Sequence, residues 1–445
     1  MSRKPNIVFI TSHDTGRHFG CYGIDEVNTP NIDALAGDGA LLENFFCTSP
    51  VCSPSRGAMY SGLYPQSNGM MGLIHPQCNW TYKPDVKHLS QRLRDRGYRT
   101  SLFFQQHEVM PDKVEERLAF DDYLARQDTG ISPTDVSNAF ADYIDAYDSD
   151  APFYAQIGFG MTHTPWASDN TRPDAEKGVC VPPHLVNNEA ARENLSCLQG
   201  AVRHLDSAVG TIVDAVNGSR FADNTIVVYT VDHGIEVPRA KWTLYDPGIA
   251  VAFVIRWPGG GITGGRRCPQ LLSNVDVTPT LLALIGDDVP ATMEGKSFAG
   301  VLRDPEHPPV RDAVFAEYVQ ANQPEARCVR TNRYKFIRNF SNHRLFVTPV
   351  DMSNPRKAVD RVDSDRDNAF CPVTQLYDLE NDPLEFANLS GDPSYAAVER
   401  ELNDRLWQWL EEVGDPILEG PLRVPLYSTS IADYDRYRAD RERTS

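Results

Sequence analysis

The chain has 445 residues, 41% hydrophobic and 23% charged, a globular balance that excludes gross disorder and fibrous folds. Its net charge of −18 argues against nucleic acid or an anionic membrane surface as the main partner. At this length two or three domains, or one large domain with a smaller companion, are expected, with a core large enough to need no staples.

Residues 6–11 form an apolar run too short for the hydrophobic region of a signal peptide, and read as a buried strand. Thr29-Pro30 reads as an N-cap and first-turn proline, opening a helix through Leu35. Pro54 fits the first turn of a helix running toward Leu63, with Ser53 as its N-cap. Further strands are expected at 100–104, 153–159, 225–230 and 251–257, most of them apolar nearly throughout, as in a sheet covered on both faces. Leu198, Val202, Leu205, Val209 and Ile212 mark the buried stripe of a long helix. This alternation over residues 1–310 predicts an α/β domain with a mostly parallel sheet. From residue 311 the character changes. Residues 328–337 and 375–379 read as strands of a separate small sheet, and Val398, Leu402, Leu406 and Leu410 as a helix. Residues 354–368 read as an exposed charged loop, and 432–445 as a charged tail that is mobile or packed on a neighbour. Nine cysteines, an odd number without a C-x-x-C pair, fit a reducing compartment and give no zinc signature. With no apolar run of membrane-spanning length, a soluble, cytoplasmic protein is expected.

The residues just beyond each strand carry the chemistry. His13 and Asp14 come after the first, His107 after the second, His163 after the third, and Asp232 and His233 after the fourth. Ligands of open α/β sheets sit beyond the carboxyl ends of the strands. Any one of these residues alone is an ordinary polar group at a loop entrance; four strands delivering them to one edge make a candidate site. Two aspartates with imidazoles offer donors for a divalent cation, and the carboxylates favour a hard ion such as Ca²⁺ or Mg²⁺. The sharpest motif is Cys52-Ser53-Pro54-Ser55-Arg56. It places Cys52 at a helix N-terminus, where the dipole favours an anion, and Arg56 one turn further on.

Continued by Gly57-Ala58-Met59-Tyr60-Ser61-Gly62-Leu63-Tyr64-Pro65, this motif resembles the signature of the formylglycine-dependent sulfatases of the alkaline-phosphatase superfamily. Residues 29–36, 241–248 with 256–259, 276–282, 376–379 and Asp382-Pro383 resemble other segments of that family. The likeness thus runs in order from about residue 6 to 413. Residues 68–73 are similar to the heparan N-sulfatase (sulfamidase) branch. The resemblance implies an alkaline-phosphatase-like fold: a large mixed, mostly parallel sheet flanked by helices within 1–310, carrying the catalytic centre, and a smaller α+β subdomain in 311–445. It implies that a maturase oxidises Cys52 to formylglycine. The hydrated aldehyde attacks sulfur, and loss of a proton from its second hydroxyl expels sulfate. Asp14, residue 52, Asp232 and His233 are the implied metal ligands, with Ca²⁺ first and Mg²⁺ or Mn²⁺ as alternatives. Arg56 matches the arginine that steadies the diol, and His107 a candidate base near the second hydroxyl. His163 and Lys241 match the pair that binds sulfate and protonates the leaving group.

Two departures stand out. His13 replaces an aspartate and is either a neutral ligand or outside the coordination shell. Gln105 replaces a lysine, removing one positive contact to substrate. The expected substrate is a small sulfate ester or sulfamate, of a sugar in the branch reading. The alternatives are a phosphonate monoester or phosphodiester hydrolase on the same site, and a protein that only binds sulfated ligands. Trp80, Tyr82, Trp166, Trp242 and Tyr245 lie near these segments, for stacking on substrate or for packing. Oligomeric state leaves no trace in the sequence.

Overall fold

The computed structural model describes residues 4–76, 78–124, 132–166, 171–304, 306–319, 325–341, 362, 370–422 and 425–444. Among these described residues, eight strands form the large sheet: β1 (Asn6–Ser12), β2 (Ala40–Phe46), β3 (Arg99–Phe104), β4 (Asp122–Leu124), β5 (Phe153–Gly158), β6 (Thr225–Val231), β7 (Phe253–Arg256) and β8 (Arg266–Ser273). Their order is β4-β3-β5-β1-β6-β7-β2-β8, and β7 alone runs against the rest. The central strands β1, β5 and β6 are buried at every position. Their unbroken apolar runs follow from being covered on both faces. Part of that cover is the helix Glu189–Gly218, whose Leu198, Val202, Leu205, Val209 and Ile212 are fully buried. It packs against the helices Pro30–Asp38 and Pro133–Asp145.

A second sheet has the order β12-β11-β10-β9 and is antiparallel throughout. Its strands are β9 (Val314–Tyr318), β10 (Ala326–Arg330), β11 (Tyr334–Asn339) and β12 (Thr374–Asp378). The run expected as one strand at 328–337 is therefore two, turned back where Thr331 N–H bonds to Tyr334 O. The helix Ala396–Glu412 buries Leu402, Leu406, Trp409 and Leu410 against this sheet. Residues of β9, β10 and β11 share one continuous core with the large sheet, so the small sheet is packed into the same body. The buried Lys335 of β11 reaches Asp246 and Glu385 at 2.6 and 2.7 Å. The tail expected at 432–445 lies largely within a helix, Pro425–Thr444, exposed at Tyr427, Ile431, Tyr434 and Tyr437. The loop expected at 354–368 lies outside the described residues, Val362 excepted. No helix among the described residues is long and apolar enough to cross a membrane.

Candidate active site

The motif helix is Cys52–Ser61, with Val51 in extended conformation as its N-cap. Ser53 is therefore inside the helix, and Pro54 sits further into the first turn than expected. Ser53 Oγ instead accepts from Ile74 N–H at 3.3 Å, tying down the loop beyond the helix. The helix ends at Ser61 because Gly62 takes φ 74°, a left-handed residue that a side chain would strain. Cys52 is thus the first helical residue, its thiol 3.2 Å from His233 Nε2.

The strand ends converge on that thiol. Asp14 leaves β1 with φ 48°, a left-handed turn that aspartate tolerates, and its N–H is held by Asp232 Oδ1 at 3.0 Å. Asp14 Oδ1 lies 3.1 Å from His233 Nε2, and His13 Nδ1 lies 2.9 Å from Asp232 Oδ2. One atom each from His13, Asp14, Cys52 and Asp232 falls within 4.8 Å of the others, and all four residues are buried. Neither His13 nitrogen nor Asp14 Oδ1 makes a well-directed hydrogen bond among the described residues. His233 Nδ1 faces Gly234 O at 2.9 Å. A carbonyl only accepts, so Nδ1 carries a hydrogen and Nε2 is the nitrogen turned to the centre, where it holds a proton against the carboxylates or, with a cation bound, gives its lone pair. Buried donors that face one another without bonding are the arrangement a cation satisfies. His13 belongs to that group by position.

The charges agree. Burial opposes ionisation of Asp14, but Lys241, His233 and His13 outweigh it and hold the carboxyl well below its usual range. Asp232 is likewise held down, against burial, by His233, His13 and Arg56. Burial resists charging of His233, yet Asp232 and Asp14 raise it to about 9. The centre draws in positive charge, which protons on imidazole or a divalent ion supply. Burial would raise the Cys52 thiol, but His233 brings it well below its ordinary value, so residue 52 sits where an anion is favoured.

Arg56 is fully buried. Its Nε donates to Asp232 Oδ2 at 3.1 Å and its Nη2 to Ser12 O at 3.3 Å. Lys241 Nζ lies 2.6 Å from Asp14 Oδ2 and 3.4 Å from His163 Nε2. His163 Nδ1 faces Thr164 O at 2.8 Å, so its Nε2 is the working nitrogen. Its side chain is 38% exposed, which places it at the mouth. His107 stacks edge-on at 6.0 Å from His13. Burial lowers its imidazole, only partly offset by a hydrogen bond to Cys52. The sequence-derived residues thus come together. The side chain of Gln105 lies against Gly160. Of the aromatics, Tyr82, Trp166, Trp242 and Tyr245 are buried, with Tyr82 bonded to Gly57 O and Tyr245 to Gln375, and these four are packing residues. The turn at 68–73 is also structural: Asn68 bonds to Leu63 O and Met70 N–H, and Met70 packs on Gly57.

Two buried carboxylates were not singled out by the sequence. Glu236 contacts Lys241 at 2.9 Å. Glu108, next to His107, is fully buried, and neither oxygen makes a well-directed hydrogen bond among the described residues. Arg56 Nη1 is 4.0 Å away. Burial lifts the Glu108 carboxyl to about 7 against the pull of Arg56. The folded state therefore keeps a proton that the unfolded chain gives up near pH 4.5. Stability contributed by that proton is complete below about pH 4.5 and is lost as pH rises to about 7, on the order of 3 kcal/mol in all. Glu108→Gln is expected to remove this slope and to unfold at higher urea than the wild type at about pH 8. Parallel urea titrations at about pH 5 and about pH 8 check it; an unchanged slope would show that Glu108 is ionised throughout.

Comparison with known proteins agrees with this geometry. The family model described as "Sulfatase" matches residues 5–287, and that described as "N-sulphoglucosamine sulphohydrolase, C-terminal" matches 239–367. An ulvan-active sulfatase of Formosa agariphila is 29% identical, covering 96% of this chain and 84% of that one. The human N-sulphoglucosamine sulphohydrolase is 25% identical, covering 94% and 92%. In fold, the phosphonate monoester hydrolase of Agrobacterium radiobacter is similar at a TM-score of 0.69 and 19% identity, covering 92% and 96%.

Proposed function

Because this chain belongs to the sulfatase family, we propose that it hydrolyses a sulfate ester or sulfamate on a saccharide, with residue 52 as the nucleophile position. The observation that carries this reading is the thiol of Cys52, presented by a helix N-terminus within the group formed with His13, Asp14 and Asp232. Relatives acting on ulvan and on N-sulphoglucosamine support a sulfated sugar. The two aspartates support a hard divalent ion, Ca²⁺ first, held by Asp14, residue 52, Asp232 and His233, with His13 beside them. When bound, such an ion supplies charge neutralisation at sulfate oxygens, and oxidation of Cys52 to formylglycine supplies a hydroxyl nucleophile.

The chain's own residues do the rest. Arg56 fixes Asp232 and the end of β1, so the nucleophile and the carboxylates keep one geometry. The chain is acidic overall, so sulfate is bound by local cations, Lys241 foremost. His163, at the mouth, turns Nε2 to where a leaving oxygen or nitrogen departs and is placed to deliver a proton there. His107 is half-buried beside residue 52, and desolvation holds its imidazole below the ordinary value, which suits it to take a proton there. Cys52 is 3% exposed, so a maturase acts on it before the chain folds. None of the nine cysteines forms a disulfide among the described residues, in keeping with a cytoplasmic placement.

The test is a set of relative rates for aryl sulfate, aryl phosphonate and aryl phosphodiester under identical conditions, on protein whose Cys52 is oxidised. Sulfate is expected to be fastest by at least about tenfold, from charge and geometry matched to one transition state. A faster phosphonate or phosphodiester would replace the reading with the second hydrolase, and binding of a sulfated sugar with no turnover would replace it with a binding protein.

A further inference from the structure

Glu236 has no part in the roles above, yet it occupies a pivotal place. It is 1% exposed. Its Oε2 accepts from Lys241 Nζ at 2.9 Å and from Thr164 Oγ1 at 2.9 Å. Thr164 is the neighbour of His163, whose Nε2 lies 3.4 Å from the same ammonium. One carboxylate oxygen therefore ties the two sulfate-facing segments together, the loop after β5 and the loop after β6. Lys241 needs such a tether. Its four-carbon stem is flexible and loses rotamer freedom when fixed, and its other anchor, Asp14 at 2.6 Å, also faces the cation group. Glu236 lies outside the group formed by His13, Asp14, Cys52 and Asp232, and one of its oxygens forms a second group with Asp14 and His163, all within 4.8 Å of one another.

The placement has an adverse side. A buried carboxylate close to a sulfate site repels the anion and neutralises part of the ammonium that attracts it. A residue kept for anion affinity alone would not be acidic. We propose that Glu236 is a positioning residue: through Lys241 Nζ and Thr164 Oγ1 it locks the ammonium and the His163 loop together, and in doing so it weakens the hold on free sulfate. This rests on the sulfatase reading. Geometry for leaving-group departure is favoured over tight binding of the product anion.

Three variants separate charge from tether. Glu236→Gln removes the charge at nearly constant shape. Glu236→Asp keeps the charge on a shorter stem. Thr164→Val cuts only the link to the His163 loop. Inorganic sulfate affinity is measured by calorimetry, and kcat and KM are measured on aryl sulfates with good and poor leaving groups. Metal content and melting midpoint are followed alongside. Glu236→Gln is expected to bind sulfate at least about threefold more tightly, with kcat on the poor leaving group at least about tenfold lower and a smaller loss on the good one. Glu236→Asp is expected to restore wild-type sulfate affinity. Thr164→Val is expected to show the leaving-group sensitivity without the tighter sulfate binding. Unchanged or weaker sulfate binding in Glu236→Gln, or an equal loss on both leaving groups, overturns the proposal. Sulfate calorimetry needs no turnover, so a wild type inactive on all aryl sulfates would remove the sulfatase reading while the affinity shift still tested the clamp.

Discussion

Cys52→Ala is expected to lose turnover by about 10⁴-fold or more while remaining folded. The residue lies at the first position of the helix Cys52–Ser61, where alanine is fully compatible with helix. Its thiol is buried and lies 3.2 Å from His233 Nε2. Removing a single sulfur there costs about 1 kcal/mol of packing, against a nucleophile position lost outright. The wild-type peptide carrying residue 52 is expected to be about 18 Da lighter than its thiol form, because formylglycine replaces the thiol covalently. The checks are peptide mass, melting midpoint and kcat/KM on an aryl sulfate. Wild-type rates in Cys52→Ala, or an active preparation holding only thiol, would falsify residue 52 as the nucleophile position. A lost activity with a lost melting transition would be a folding defect, and Cys52→Ser, closer in shape, then serves as the second probe.

The central strands were legible because a strand buried on both faces has little choice but an unbroken apolar run. What escaped has a physical reason in each case. β8, Arg266–Ser273, carries two arginines and a proline and lies at the sheet edge beside β2 alone, where a missing N–H is tolerated. β4 is three residues at the opposite edge. β2 is interior, but Glu43 and Asn44 interrupt its apolar pattern, and its register shifts between Leu42 and Asn44. The reading of Ser53 as a cap failed because an extended Val51 serves as N-cap without a side-chain bond. Within the site, residues directly after buried strands were found because the strand itself flags them. Glu108 and Glu236 are single carboxylates in loops with no spacing signal. Adjacency to His107, and a place between His233 and Lys241, were the available clues. Their meaning depends on burial, which loop sequence does not report.

Burial also sets the second large effect. Arg56, Asp232 and Glu108 are each 0% exposed, so the guanidinium serves two buried carboxylates, sharing Asp232 with His233 and His13. Burial disfavours charge on Arg56, yet Asp232 and Glu108 raise its affinity for its proton. Arg56→Met keeps much of the volume and removes the charge. It is expected to cost about 3–5 kcal/mol, the penalty for stranding a buried partner, and to lower kcat by about 10³-fold or more as Asp232 loses its Nε contact and the end of β1 its Nη2 contact. Arg56→Lys restores a charge without the fork that serves Asp232 and Ser12 at once, so it is expected to recover stability more than rate. The pH dependence distinguishes this account from simple loss of packing. Without the guanidinium, Glu108 holds its proton more firmly, and its neutral form is tolerated. Relative to wild type, Arg56→Met is therefore expected to be less destabilised at about pH 6 than at about pH 8, since the extra proton bound by the folded variant helps only while it is available. Adding Glu108→Gln to Arg56→Met is expected to be strongly non-additive at about pH 8, where the second change removes a buried carboxylate that the lost guanidinium had balanced. Urea midpoints of the two single variants and the double at about pH 6 and about pH 8 measure it. A pH-independent penalty with additive energies would show that Arg56 acts by filling space, and that the charge pairing at the base of the site carries no stability.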